Sequence, residues 1–177
     1  MLDEFEPARV AQAVAQLGLG HAVITSVNRD ELADGGAAMF ARTLNQIRVR
    51  SPGTTVEVLI PDFQGNWDAL DAVLDAEPDI LNHNMESVPR LYPVMRPQAR
   101  YKRSLELLDR ARTGSDSRLP PPTKSGLMLG AGETRVETEE AIRDLADVGC
   151  SILTLGQYLS PSPDHVPVAR FLHPNEF

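Results

Sequence analysis

Cysteine is almost absent from this chain: its 177 residues include one, Cys150. A single thiol rules out a disulfide framework within the chain. Long apolar runs are missing as well. No stretch approaches the roughly 20 residues that span a bilayer, and no signal-peptide core follows Met1. Positive charge is in deficit, with 17 Lys and Arg against 25 Asp and Glu and a net charge of −8. The basic residues, among them Arg48, Arg50, Arg100, Lys102 and Arg103, read as a scattered solvated surface, which argues against a nucleic-acid footprint. His21, His83, His165 and His173 never stand at i, i+3 or i+4 from one another, so a zinc or di-metal hydrolase has no local signature. These absences leave a soluble, cytoplasmic chain with neither a membrane nor a nucleic-acid partner.

What is present suits one globular domain over 1–177, with 42% hydrophobic residues. Helix-like and strand-like segments alternate. Residues 7–18 place Val10, Val14 and Leu17 on one helical face, closed by Gly18 and Gly20. A β-rich stretch follows over 21–27. Asp34-Gly35-Gly36 then opens a helix carrying Met39, Phe40, Leu44 and Ile47, and Pro52-Gly53 stops it. Residues 55–60 read as a buried strand, Asn66 as the cap of a helix with Leu70, Val73 and Leu74, and 79–84 as a strand. Beyond a stretch with Pro89, Pro93 and Pro97, the pattern predicts a helix over 104–111 and a Pro- and Ser-rich loop over 113–122. A strand over 123–129, a helix over 134–148 with Val136, Ile142 and Leu145 on one face, and a strand over 151–157 complete it. The Pro-rich tail reads as irregular. Strands alternating with helices predict a parallel α/β sheet, either doubly wound or part of a (β/α) barrel.

In both architectures ligands gather at the carboxyl ends of strands. Polar residues and glycines recur there: Asp34-Gly35-Gly36; Asn82 and Asn84, on one face by alternation, with Glu86; Gly130 and Glu133; Gln157 and Tyr158. Glycines before a helix expose backbone groups to a ligand, and paired amides suit a polar one. Plainer roles stand beside these. Asp34-Gly35-Gly36 also suits a simple turn, the two asparagines can satisfy backbone groups, and Glu133-Thr134 can be a helix start. His83 faces the other way and reads as a packed histidine, and Cys150 as an apolar filler. A dinucleotide fingerprint is not met, because Arg135 takes the third glycine's place after Gly130 and Gly132.

Taken together, four segments are far more specific than any one. Val23-Ile-Thr-Ser-Val-Asn-Arg-Asp-Glu-Leu-Ala-Asp-Gly-Gly36, Val56-Glu-Val-Leu-Ile-Pro-Asp-Phe63, Asn82-His-Asn-Met-Glu-Ser-Val-Pro-Arg-Leu-Tyr92 and Thr123-Lys-Ser-Gly-Leu-Met-Leu-Gly130 resemble the lipoyl synthases, in the family's order. Leu153-Thr-Leu-Gly-Gln-Tyr-Leu159 completes the set. The resemblance implies a partial (β/α) radical S-adenosylmethionine (SAM) barrel that inserts two sulfur atoms into an octanoyl chain on a lipoyl carrier domain. It also implies SAM and two [4Fe–4S] clusters as cofactors. Asp34, Gly35 and Gly36 fall where the family holds the methionine amino group, Asn84 and Glu86 where it meets ribose or carboxylate. Gly126-x-x-x-Gly130-x-x-Glu133 falls on the adenine side, and Lys124, Gln157 and Tyr158 in the same pocket.

The family's cluster cysteines, its first barrel strand and its cluster loop have no counterpart among these residues, and one cysteine cannot replace six thiolates. The expectation is a barrel fragment without clusters, inactive alone and prone to self-associate through an uncovered edge at 21–27, or completed by another polypeptide. The rival expectation is a non-catalytic paralogue that keeps the pocket. A different radical-SAM sulfur transferase is disfavoured by the Asn-His-Asn-Met-Glu and Gly-Gln-Tyr segments.

Overall fold

In the computed structural model, which describes residues 2–113 and 119–177, five parallel strands form one sheet. Helix α1 (Glu6–Leu17) leads into β1 (His21–Thr25), followed by α2 (Ala37–Arg50), β2 (Thr55–Leu59), α3 (Trp67–Leu74) and β3 (Ile80–Asn82). A one-turn α4 (Tyr92–Met95) and the longer α5 (Tyr101–Thr113) precede β4 (Thr123–Leu129). Then come α6 (Arg135–Asp147) and β5 (Ile152–Gln157). Sheet neighbours are sequence neighbours throughout, β1-β2-β3-β4-β5. A doubly wound sheet reverses at a switch point, and this one does not. Right-handed crossovers repeated in one direction put the helices on one face and curl the sheet the other way. The chain is an arc of (β/α) barrel.

The core lies between that arc and its helices. Ala22, Val56, Val58, Leu81 and Leu127 point outward from the strands and are buried against Leu44 and Ile47 of α2, Leu70 and Val73 of α3, and Leu107 and Leu108 of α5. Local chemistry sets the boundaries. Gly18, at φ 61, ends α1 in the left-handed conformation that glycine adopts without penalty. The Asn66 side chain accepts from the Ala69 amide and starts α3, as its sequence position predicts. Thr134 and Glu137 form a reciprocal capping box at the start of α6.

Several expectations need correction. Leu17 is 71% exposed and Val136 61% exposed. They occupy the last turn of α1 and the first turn of α6, and the buried faces there are Ala11 with Val14 and Ala141 with Leu145. β1 ends at Thr25 and β3 at Asn82, two residues short of the apolar pattern in each case, because the chain turns off at the rim to build the cleft described below. α5 starts at Tyr101, and the Pro-rich stretch before it contains α4, with Pro93 in a first turn where its missing N–H is not needed. Of the 113–122 loop, Thr113 ends α5, 119–122 lack regular structure, and 114–118 lie outside the described residues.

Among the described residues β1 and β5 each pair with one neighbour only. Their inner-face side chains, Val23 in β1 and Ile152 in β5, are exposed. No helix among the described residues is long and apolar enough to cross a membrane.

Candidate functional site

The carboxyl ends of β1, β2 and β3 open into a cleft of about 840 Å3. Thr25, Ser26 and Asn28 line it from β1, Asp62 from β2, and Asn84 and Glu86 from β3, while Arg96 and Arg103 close the far wall. Thus Asn84 and Glu86 of the sequence expectation meet in the cleft. The Asn84 carboxamide lies over Gly126, beside Thr154. Glu86 has φ 66, unusual for a residue with a Cβ, and its backbone bridges to β4: its N–H donates to Gly126 O and its carbonyl accepts from Met128, each at 2.9 Å.

Asp34, Gly35 and Gly36 stand next to the cleft, at the amino end of α2. The Asp34 carboxylate accepts from the amides of Gly36 at 3.0 Å and Ala38 at 2.9 Å. Partial burial pushes that carboxyl upward, but hydrogen bonds from the amides of Ala38, Gly36 and Asp34 itself outweigh it and hold Asp34 below the usual carboxylate range. The positive φ of Gly35 and Gly36 lets the turn press against Phe63 and Arg29: a Cβ at either position would come within 2.9 Å of those side chains. Arg29 is tied in turn to Glu6 at 3.0 Å. The turn therefore fixes the loop whose Ser26, Val27, Asn28 and Asp30 line the cleft.

Gly130, Glu133, Gln157 and Tyr158 gather elsewhere, at the rim of β4 and β5. Glu133 closes the β4 loop on itself, accepting from the Gly130 amide at 2.5 Å and the Ala131 amide at 3.0 Å. The chain after β5 folds back over this rim. Gly130 O accepts from Ala169 N, Gln157 donates to Arg170 O and accepts from Leu172 N, and the Tyr158 hydroxyl donates to Val166 O at 2.7 Å. The polar groups of Gln157 and Tyr158 thus hold the tail.

Lys124 lies on the barrel floor. Its ammonium donates to both oxygens of Glu57 at 3.0 Å, and Asn82 Nδ2 donates to the same carboxylate at 2.7 Å. His21 Nε2 stands 3.9 Å from it. Asn82 and Asn84 do share the inner face, at different depths: Asn82 serves the floor and Asn84 the cleft.

Sequence reasoning missed Glu57, Arg96 and the Asp62–Arg103 pair. Arg96 donates to the carbonyls of Asn84 at 2.9 Å and Met85 at 3.3 Å, and its guanidinium lies 5.7 Å from the centre of the Tyr92 ring. Arg103 binds Asp62 at 2.7 Å across the cleft wall. A carboxylate between Val56 and Val58 in an apolar strand was the available signal for Glu57. The two arginines gave none, since their partners are distant in sequence. His83 is fully buried, with one ring nitrogen 2.9 Å from Ile60 O and the other 2.9 Å from Ser104 Oγ.

An arc of parallel β/α units with a polar cleft at its carboxyl rim is the architecture of the radical SAM superfamily, whose family model matches residues 2–145; the chain belongs to that superfamily. The fold agrees with that of coproporphyrinogen III oxidase from Escherichia coli, a radical SAM enzyme, with a TM-score of 0.62 at 14% identity, covering 90% of this chain and 41% of that one. Within the superfamily the chain is similar to lipoyl synthases. It is 56% identical to that of Roseiflexus sp. (strain RS-1) over 99% of its own length and 58% of the relative's. To that of Rubrobacter xylanophilus it is 56% identical, over 54% of the relative. The value for Caldanaerobacter subterraneus subsp. tengcongensis is 51%, over 61% of the relative. The chain therefore spans about three-fifths of the length of these relatives.

Proposed function

We propose that this chain is the SAM- and acyl-holding barrel of a lipoyl synthase, acting on octanoylated lipoyl carrier domains in the cytoplasm. The observation that carries the reading is the convergence of Asn84 and Glu86 on the cleft, in a chain 56% identical to lipoyl synthases. In the family, SAM and two [4Fe–4S] clusters together supply the adenosyl radical and the inserted sulfur.

The side chains present suit SAM and do not suit the clusters. A cluster takes three or four thiolates. Cys150 is one half-buried thiol at the amino end of β5, at the opposite end of the sheet from the cleft, and burial pushes its pKa up. Among the described residues no three His, Cys, Asp or Glu side chains group to hold a metal. In this reading the cluster ligands belong to sequence outside these residues, supplied by the same or a complementing polypeptide, and this chain binds and orients.

For that task the residues divide the work. The turn at Asp34, Gly35 and Gly36 sets the loop that receives the methionine amino group. Asn84 and Glu86 receive ribose or carboxylate, with Arg96 fixing the Asn84 backbone. Gly130 and Glu133 shape the adenine side, Gln157 and Tyr158 clamp the tail behind it, and Lys124 stiffens the floor. Calorimetric titration of the chain with SAM tests this. Asn84→Ala and Glu86→Gln are each expected to weaken binding about tenfold, the worth of one hydrogen bond to a charged or polar ligand. A folded chain with no affinity for SAM overturns the reading.

A second reading, consistent with Cys150 as the one thiol present, is a non-catalytic paralogue that keeps the pocket. Anaerobic reconstitution with iron and sulfide, in the presence of a polypeptide bearing the cysteine motifs, separates the two. Iron that co-purifies with this chain and sulfur insertion by the mixture support the enzyme, and iron held by the added polypeptide alone supports the binding module.

A further inference from the structure

Basic charge is scattered over most of the sequence, but one segment carries a local excess. Residues 96–112 carry Arg96, Arg100, Lys102, Arg103, Arg110 and Arg112 against Glu106 and Asp109 alone, in a chain of net charge −8. Four of these cations are engaged: Arg96 with backbone carbonyls, Arg103 with Asp62, Arg110 with Glu106 and Arg112 with Asp109. Arg100 and Lys102 are exposed and have no ion-pair partner among the described residues.

Both border a groove of about 490 Å3 between the start of α3 and the first turns of α5, with Trp67 and Tyr101 as its aromatic lining and Glu106, already paired with Arg110, as its one carboxylate. Arg100 and Arg103 border this groove and the cleft alike, so the two are contiguous. Unpaired cations beside an aromatic floor have the composition of a protein interface, and complementary charge steers such partners together. Nucleic acid fits less well. One face of the Trp67 ring is already taken by the Arg110 guanidinium, 4.6 Å from its centre, which removes a stacking surface for a base, and the chain carries a net charge of −8.

We propose that this groove docks an acidic protein surface, that of the domain presenting the acyl-lysine arm to the cleft, with Arg100 and Lys102 as its charge partners. The inference rests on the cleft being an acyl-lysine site, and it adds where the carrier sits: on α5, on the side of the cleft that Arg100 shares. A carrier held there delivers its lysine arm over the Arg100–Arg103 wall.

The test is fluorescence anisotropy of an acidic octanoylated carrier domain titrated with the chain at low and high salt, beside titration with a neutral octanoyl-lysine tripeptide. Lys102→Glu is expected to weaken carrier binding about tenfold, and adding Arg100→Glu to weaken it further and flatten the salt dependence. Lys102→Glu should leave tripeptide affinity unchanged. Both side chains are exposed, and circular dichroism confirms that the variants fold. Equal carrier binding by wild type and both variants overturns the docking surface while tripeptide binding keeps the cleft reading intact. Tripeptide that fails to bind removes the cleft reading, and a carrier still sensitive to Lys102→Glu then supports the surface alone. A short single-stranded RNA that displaces the carrier at equal concentration also overturns the proposal.

Discussion

Asn84 fills the space that a side chain at position 126 would need. A Cβ on Gly126 would stand 2.9 Å from Asn84 Oδ1 and 3.0 Å from Thr154 Oγ1. Both neighbours are side-chain ends, so the strand can accept the methyl group if the amide moves. Gly126→Ala is therefore expected to keep the fold, with a stability loss of about 1 kcal/mol, and to lower SAM affinity about tenfold by displacing Asn84. Calorimetry reads the second effect. Unchanged affinity with an intact fold would show that Asn84 is not a ligand contact.

His83 makes the fold sensitive to mild acid. Burial drives its pKa down from an ordinary value of 6.5 to about 4, and the bond to the Ile60 carbonyl only partly opposes this. Because the folded value lies below the unfolded one, the stabilisation is complete above about pH 6.5 and is lost as pH falls toward 4. The full difference is about 3 kcal/mol. Urea unfolding across that window should show the decline, and His83→Asn should flatten it. A wild-type profile flat from pH 7 to about 4.5 would exclude a buried neutral ring.

The floor pair should behave as a buried ion pair. Glu57 is 2% exposed and takes Lys124, with Asn82, as its hydrogen-bond donors. Lys124→Met strands the carboxylate and is expected to cost about 3 kcal/mol, whereas Glu57→Leu combined with Lys124→Met should be far milder. A double-mutant cycle in urea measures this, and purely additive losses would mean the pair is not coupled.

Glu86 holds a backbone conformation suited to glycine. Glu86→Gly should relieve about 1 kcal/mol of strain, raising the melting temperature, while removing a carboxylate from the cleft and weakening SAM. Opposite signs for stability and affinity are the expected signature. A fall in both would mean the carboxylate also supports the fold.

The outer edge of β1 has no partner among the described residues. Amides over 21–27 should exchange with solvent faster than those of β2, and the isolated chain should self-associate through that edge. Strong protection there in a monomer would count against it.

Much of this architecture was readable from local pattern. β4 matches its apolar run end to end, and Thr134, read with Glu133 as a helix start, does cap α6. Leu17 and Val136 misled because periodicity places a residue on a face without saying whether the sheet extends that far. Asn84 and Glu86 were legible as polar residues at a strand end. The Glu57–Lys124 pair was not, since its members lie 67 residues apart and only the curl of the sheet joins them. Gln157 and Tyr158 are legible as polar residues at a strand end, but their hydrogen bonds to Arg170, Leu172 and Val166 are not, because that tail has no periodicity to reveal its path.

An arc whose first and last strands do not meet is a trough with two open flanks. A closed barrel admits a long guest only end-on, through its mouth. Among the described residues Val23 and Ile152 stand open at the two flanks, so solvent reaches the inner face of the arc from the sides as well as from the carboxyl rim.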